Sequence, residues 1–255
     1  MAAWRLTIHA ELASTQDAVL AAAAAGEPEG LAVLARRQTA GRGTQGRPWH
    51  SSSGNLHLSL LWRPPGPARE LPQWALLVAV ALAETVASLL PPEASLALKW
   101  PNDLLLNGAK CAGILTQAAP DERGGIAWIV AGIGVNLREA PSLPDRPTAS
   151  LAGGGIVPPG PVAFAEALLA SLDRWREAQQ AGGFTPVREA WMRHGPSPGS
   201  ALLLKQPHGL VSGRYAGLAE DGRLQLRVGN ELLAFAAGEL VSAPLASGEP
   251  RPIGR

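Results

Sequence analysis

The residues best suited to chemistry sit in a short glycine-spaced loop, Gly41-Arg42-Gly43-Thr44-Gln45-Gly46-Arg47. Glycines let backbone N–H groups approach an anion closely, and guanidinium groups grip phosphate or carboxylate with two parallel bonds. The spacing fits the dinucleotide fingerprint GxGxxG, but that motif works only where a helix starts and aims its N-terminus at a pyrophosphate. Here Pro48 and an alternating strand over Leu56–Leu61 follow instead. The loop also nearly fits the P-loop, except that Arg47 stands where lysine is required and Pro48 where a metal-binding hydroxyl is required. Two readings stay open on the loop alone: an anion-binding loop, or a solvated surface loop with incidental arginines.

Further reactive groups lie downstream. Lys99-Trp100-Pro101-Asn102-Asp103 offers a carboxylate and an amide, Lys110 a cation beside Cys111, and Gly132 and Gly134 stand inside an apolar run that ends at Asn136. Glycines within a strand suggest close backbone approach by a ligand. The five histidines show no metal spacing. Cys111 is the only cysteine, so neither a disulfide nor a cysteine zinc site can form, and a reducing, cytoplasmic setting is expected.

These groups must be carried by a globular scaffold. The chain has 255 residues, 46% of them hydrophobic, and a formal net charge of +1, which argues against a general nucleic-acid binder. No signal peptide is read at the N-terminus. Strands are predicted at Arg5–Ile8, Leu31–Ala35, Leu56–Leu61, on both sides of the Lys99–Asp103 motif, and at Ile126–Leu137. Ser14 and Asp17 form a capping pair ahead of an Ala-rich helix. Leu71–Leu90 is long enough to span a bilayer, but Glu84 lies inside it and basic flanks are missing, so a buried core helix is expected and no membrane partner. Arg138–Pro161 reads as a mobile Pro/Gly-rich loop; Val162–Gln180 and Pro186–His194 read as helices. From Ser197 the helical period gives way to short strands with turns at Asp221-Gly222 and Gly229-Asn230. The expected organisation is a catalytic domain at 1–196, a small β-barrel at 197–245 and a flexible tail at 246–255.

The motifs occur in a recognisable order. Ser14-Thr15-Gln16-Asp17, Gln38-Thr39-Ala40-Gly41-Arg42-Gly43, Gly54-Asn55-Leu56, Lys99-Trp100-Pro101-Asn102-Asp103, Lys110-Cys111-Ala112-Gly113-Ile114-Leu115 and Gly132-Ile133-Gly134-Val135-Asn136 together resemble the biotin–protein ligase family. The resemblance spans Ser14 to Asn136. It implies an α+β fold, a class II synthetase-like domain with a central mixed sheet and flanking helices, plus a C-terminal SH3-like barrel. It also implies a two-step reaction: biotin and ATP give biotinyl-5′-AMP and pyrophosphate, and a lysine of a biotin carboxyl carrier protein domain then displaces AMP. Regulatory members carry an N-terminal helix-turn-helix, for which the residues before Ser14 leave no room, so no DNA partner is expected; monomer and homodimer both stay open.

The resemblance distributes roles over the residues. Lys110, Arg42 and Asp103 are the catalytic candidates. Ser14, Thr15, Gln38, Gly41, Arg42, Lys110 and Gly113 would hold biotin, and Arg42, Arg47, Trp49, Asn102, Gly132, Gly134 and Asn136 the ATP or adenylate side. Mg²⁺ is expected with ATP, with no protein ligand assigned. The first step needs no general base, because a carboxylic acid is ionised at neutral pH; it needs charge neutralised between carboxylate and triphosphate. Asp103 can take the proton of the carrier lysine, hold metal with Asn102, or fix the loop after Pro101. Ser14 can be a helix cap, a biotin contact, or both. His57 is expected at a half-buried strand position, with stacking as the alternative. A rival reading is an ATP-independent lipoyl/octanoyl-type acyltransferase with Cys111 as nucleophile. It conflicts with strand geometry, since neighbouring residues point to opposite faces and Lys110 and Cys111 would not share a site. Family members often carry arginine where this chain has Thr44, and Arg47 or Gln45 would have to compensate.

Overall fold

A computed structural model describes residues 3–241; the tail expected at 246–255, and the last residues of the barrel segment, lie outside the described residues. The first sheet has seven strands: β1 (Arg5–Leu12), β2 (Leu31–Gln38), β3 (Leu56–Trp62), β4 (Leu96–Lys99), β5 (Asp103–Leu106), β6 (Ala109–Pro120) and β7 (Ile126–Val135). Their spatial order is β1-β2-β3-β7-β6-β5-β4, with β1 parallel to β2 and every other pair antiparallel. The sheet is therefore mixed, as expected.

Helices cover both faces. Helix α1 (Thr15–Ala24) lies on one side, where Val19 and Ala23 pack with Val33, Leu61 and Val130. Ser14 caps it by accepting the N–H of Asp17 at 3.2 Å. On the other side lie α2 (Leu71–Ala87), α3 (Pro161–Gly182) and α4 (Thr185–His194). Together with the 3-10 turn before it, Ala68–Glu70, helix α2 has the length and apolarity of a membrane span. Here its residues from Leu76 to Ala83 are instead buried against the sheet and its neighbouring helices. Helix burial on both sides corrects one expectation: β3 does not alternate between core and solvent. All seven of its residues are buried, with Leu56, Leu58, Leu60 and Trp62 toward α2 and Leu61 toward α1. His57 is accordingly buried at 1% exposure and not half-buried.

The second sheet has order β11-β10-β9-β8-β12, from β8 (Ala201–Gln206), β9 (Gly209–Leu218), β10 (Leu224–Val228), β11 (Glu231–Phe235) and β12 (Glu239–Val241). Both expected turns are present, with Gly222 and Gly229 at positive φ. This antiparallel module matches the expected SH3-like element. Its buried Leu204, Tyr215, Leu218, Leu224 and Leu226 belong to the same hydrophobic cluster as α2–α4, and Arg188 of α4 donates to the Leu218 carbonyl at 2.6 Å. The segment expected as a mobile loop is fastened: Lys110 N–H donates to Pro147 O at 3.0 Å, Ala149 N–H to Lys110 O at 2.9 Å, and Leu151 is fully buried.

Candidate active site

The site is built on two rungs of the first sheet. One rung aligns His57 with Gly134 and Gly113, and the next aligns Ser59 with Gly132 and Leu115. Side chains alternate along a strand, so all six positions face the α1 side. The three glycines leave a trough in the floor. The trough is lined by the protein's own groups: a Cβ at Gly134 would stand 2.4 Å from the Trp49 indole, and one at Gly132 would stand 2.5 Å from Gln16 Oε1. The glycines inferred to admit a ligand thus first admit Trp49 and Gln16.

The N-terminus of α1 supplies one wall, through neutral hydrogen bonds. Gln38 Oε1 accepts from the Thr15 N–H at 2.8 Å and from its hydroxyl at 3.1 Å. Thr15 and Ser59 hydroxyls lie 2.9 Å apart, Ser59 donates to Gln16 Oε1 at 3.2 Å, and Gln16 Nε2 donates to Gln117 at 3.1 Å. The glycine-rich loop forms the lid. It closes on itself through Gly43 N–H to Arg47 O at 2.7 Å and Trp49 N–H to Gly41 O at 2.8 Å, around a 3-10 turn at Thr44–Gly46. Gly41 is tightly confined, since a Cβ there would meet Gln38 Nε2 at 2.9 Å.

The opposite wall is charged. Lys110 Nζ donates to Asp103 Oδ1 at 2.5 Å and lies 5.8 Å from the Trp49 ring centroid. Asp103 thus has a partner that none of its three expected roles included. Asn102 Nδ2 donates to Ile114 O at 2.8 Å, which ties the turn after Pro101 to β6. Arg42 pairs with Asp17 in the first turn of α1. Arg47 reaches the second sheet: its Nη1 and Nη2 donate to Glu239 at 2.9 and 2.5 Å, and Nη2 also donates to Gln45 at 2.8 Å. The Glu239 carboxylate raises Arg47 above the usual arginine value, and Arg47 in turn holds Glu239 below the usual carboxylate range. Arg146 sits 3.9 Å from Glu239 and 2.6 Å from Asp145. Burial lowers Lys99, and nearby Asp103 offsets part of that shift.

Two adjoining cavities result. The inner cleft is lined by Ser14, Thr15, Gln38, Arg42, Asn102 and Gly113, among others. The outer one is roomier and is lined by Arg47, His50, Asn136, Asp145, Arg146 and Thr148, among others. Gly43, Thr44, Trp49 and Lys110 line both cavities, so Lys110 stands at their junction. Asn136 is itself 3% exposed and donates to Ala149 O at 3.1 Å, so its amide anchors the segment beside β6. Asn55 plays a similar part: its Oδ1 accepts from Arg138 N–H at 2.9 Å and its Nδ2 donates to Glu139 O at 2.8 Å. Gly132 and Gly134 fall on the inner cleft and not on the outer one.

Sequence reasoning did not assign Gln16, Ser59, Asp145, Arg146 or Glu239 to the site. Gln16 lay inside a quoted motif, and Ser59 is two residues from His57 on one strand face; both signals were readable. Glu239 and Arg146 are brought in by tertiary contacts with no local signature. Cys111 points away from Lys110, fully buried, and desolvation pushes its thiol up to about 12. A protonated, inaccessible thiol is no nucleophile.

Comparison with known proteins agrees with this geometry. Residues 11–136 match the family model described as the biotin/lipoate A/B protein ligase family. The chain is 36% identical to a biotin–(acetyl-CoA-carboxylase) ligase of Paracoccus denitrificans, over 76% of this chain and 83% of that protein. It is 33% identical to the Mycobacterium tuberculosis protein of the same name, over 93% and 89%. The fold superposes on a biotin protein ligase from Aquifex aeolicus in complex with biotin and ATP, with a TM-score of 0.76 at 24% identity, covering 93% of this chain and 97% of that one. Matched in sequence over most of two ligases and in fold over nearly all of a third, with the shared motifs gathered around one two-chambered cleft, the chain belongs to the biotin–protein ligase family.

Proposed function

We propose that the protein is an ATP-dependent ligase that forms biotinyl-5′-AMP from biotin and ATP and transfers biotin to a specific lysine of a biotin carboxyl carrier protein domain. The observation that carries this reading is the position of Lys110 at the junction of two cavities. Apart from Arg42 and Lys110, the polar groups of the inner cleft are neutral, Thr15, Gln38 and Ser59 among them, which suits a ureido ring. The outer cavity offers Arg47 and Arg146, which suit a triphosphate. The two substrates then meet at Lys110.

In the first step a biotin carboxylate oxygen attacks the α-phosphorus, the bond to the β-phosphate oxygen breaks, and pyrophosphate leaves. The ammonium of Lys110, aimed by Asp103, offsets the charge that builds between carboxylate and phosphate. Arg42 is held at the α1 N-terminus by Asp17, where it closes the lid over the carboxylate side. Among the described residues no three His, Cys, Asp or Glu side chains cluster into a metal site. Mg²⁺ needs only one or two carboxylates when phosphates supply the rest, and Asp145 on the outer cavity, paired with Arg146 here, would supply one. Bound there, it would neutralise triphosphate charge.

In the second step the carrier amine attacks the acyl carbon and AMP departs with the bridging oxygen. The nitrogen must lose a proton, and we assign its acceptance to Asp103, whose carboxylate is released once Lys110 has turned to the phosphate. We assign the second sheet, through Glu239 and its contact with Arg47, the role of covering the nucleotide side. A carrier lysine in the cytoplasm is the proposed target. The test is biotin-dependent exchange of pyrophosphate into ATP. Exchange that requires biotin supports the reading; acyl transfer that ignores ATP and depends on Cys111 would replace it.

A further inference from the structure

We infer that His57 reads the substrate directly: its imidazole, fixed as the Nδ1–H tautomer, offers Nε2 as a hydrogen-bond acceptor to an N–H of the biotin ureido ring. The inference rests on the biotin reading above and extends it to a residue whose type suggested only packing or stacking.

The tautomer follows from one contact. His57 Nδ1 lies 3.2 Å from the Ala35 carbonyl oxygen on β2. A carbonyl oxygen only accepts, so Nδ1 carries the proton and Nε2 carries a lone pair when the ring is neutral. Burial pushes the ring below the usual histidine value, which favours that neutral form. The residue is 1% exposed, and Nε2 has no hydrogen-bond partner among the described residues. With Nδ1 turned to β2, the opposite edge of the ring faces away from β2, on a residue that lines the inner cleft.

A buried acceptor without a donor is costly, and such groups call for an explanation. The other polar groups at this floor are already committed to each other: Thr15 to Gln38 and Ser59, Ser59 to Gln16, and Gln16 to Gln117. His57 Nε2 is the unspent one among them. It shares a rung with Gly134 and Gly113, the backbone trough under Trp49. A ligand that takes the place of the Trp49 indole over that trough would pass beside it. Biotin has N–H donors only in its ureido ring; its thioether, its alkyl chain and its ionised carboxylate have none. Nε2 therefore selects for the end of biotin that must lie far from Lys110, and sets the direction in which the molecule enters.

The test compares biotin with its two mono-N-methyl ureido analogues in wild type, His57→Phe and His57→Gln, by direct binding and by KM in pyrophosphate exchange. Wild type should bind one analogue at least about ten-fold more weakly than biotin, the scale of a lost buried hydrogen bond. H57F should bind biotin about ten-fold more weakly and lose most of that preference, whereas H57Q, which keeps an acceptor, should retain part of it. A folded H57F that binds biotin as wild type does, or that keeps the full preference, overturns the inference. The ¹⁵N resonances of the wild-type imidazoles provide a reading independent of any variant: Nε2 of His57 should be unprotonated and should shift when biotin binds, and an unshifted resonance overturns the inference equally. Absence of any biotin-dependent exchange in wild type would instead remove the biotin reading itself.

Discussion

The two chambers that meet at Lys110 are held together by different physics. The inner wall is a relay of neutral hydrogen bonds in which Gln38, Thr15, Ser59 and Gln16 fix one another. Such a network is largely complete before any substrate arrives, so it can be rigid and selective. The outer wall consists of charges paired with charges, as in Lys110 with Asp103, Arg47 with Glu239, and Arg146 with Asp145. To bind phosphate, those cations must exchange one anion for another. Selectivity is therefore concentrated on the inner side, while the outer side supplies exchangeable charge.

Removing the cation at the junction should separate the two chambers most sharply. Lys110→Ala should lower biotin-dependent pyrophosphate exchange by about 100-fold or more, the scale of losing a charge-stabilising group from a transition state, while biotin binding falls far less. The opposite pattern, binding lost and exchange intact at saturating biotin, would break the division drawn here. Glu239→Gln comes next. Without the carboxylate that engages both of its terminal nitrogens, Arg47 has no anion to give up before meeting phosphate, and the KM for ATP should fall several-fold, within the scale of one charge-assisted bond of roughly 1.5–3 kcal/mol. The KM for biotin should stay within two-fold; an equal change in both would show that the chambers are not separable.

The same pair gives a pH test. Glu239 is ordinarily expected near 4.5 and is lowered in the fold, first by its bond to Arg47. A carboxylate lowered on folding contributes stability that is full above the unfolded value and is lost as pH falls through the folded one. The Tm difference between wild type and E239Q should thus be constant near neutrality and shrink below about pH 4.5. A difference that grows on acidification would contradict the assignment. Thr44→Arg should have a smaller effect. It adds a cation at the lid between the two cavities, where Arg47 is already drawn off by Glu239, and should slow release of biotinyl-adenylate measurably; unchanged release would show that the lid lacks nothing. Cys111→Ala should change exchange by less than about two-fold, because the thiol lies on the core face of β6 and packs without touching the cleft.

Much of the scaffold was readable because its signals are local. The Ser14–Asp17 cap, the glycine turns at Gly222 and Gly229, and the opposite facing of Lys110 and Cys111 each follow from residue type and period. The misreading of β3 has a physical cause. His57 and Ser59 look like solvent-side residues in an alternating strand, but they face a covered cleft, and alternation does not distinguish water from a polar pocket. The partner of Asp103 was hidden by a register shift between β5 and β6, where Leu104 pairs with Ala112 but Leu105 with Lys110. Glu239 lies 192 residues from Arg47 along the chain, and no local pattern reports such a contact.

The burial of Cys111 has a practical consequence for anyone wishing to watch this enzyme move. The chain's sole sulfhydryl is sealed and protonated across the ordinary working range. Maleimides, haloacetamides and mild oxidants should leave the native protein untouched. A cysteine introduced at an exposed position such as Val157, which is 89% exposed, would be the single site for a fluorophore or spin label. One such handle on the lid and another on β12 would report whether the Arg47–Glu239 contact opens as ATP enters, without first engineering a cysteine-free background.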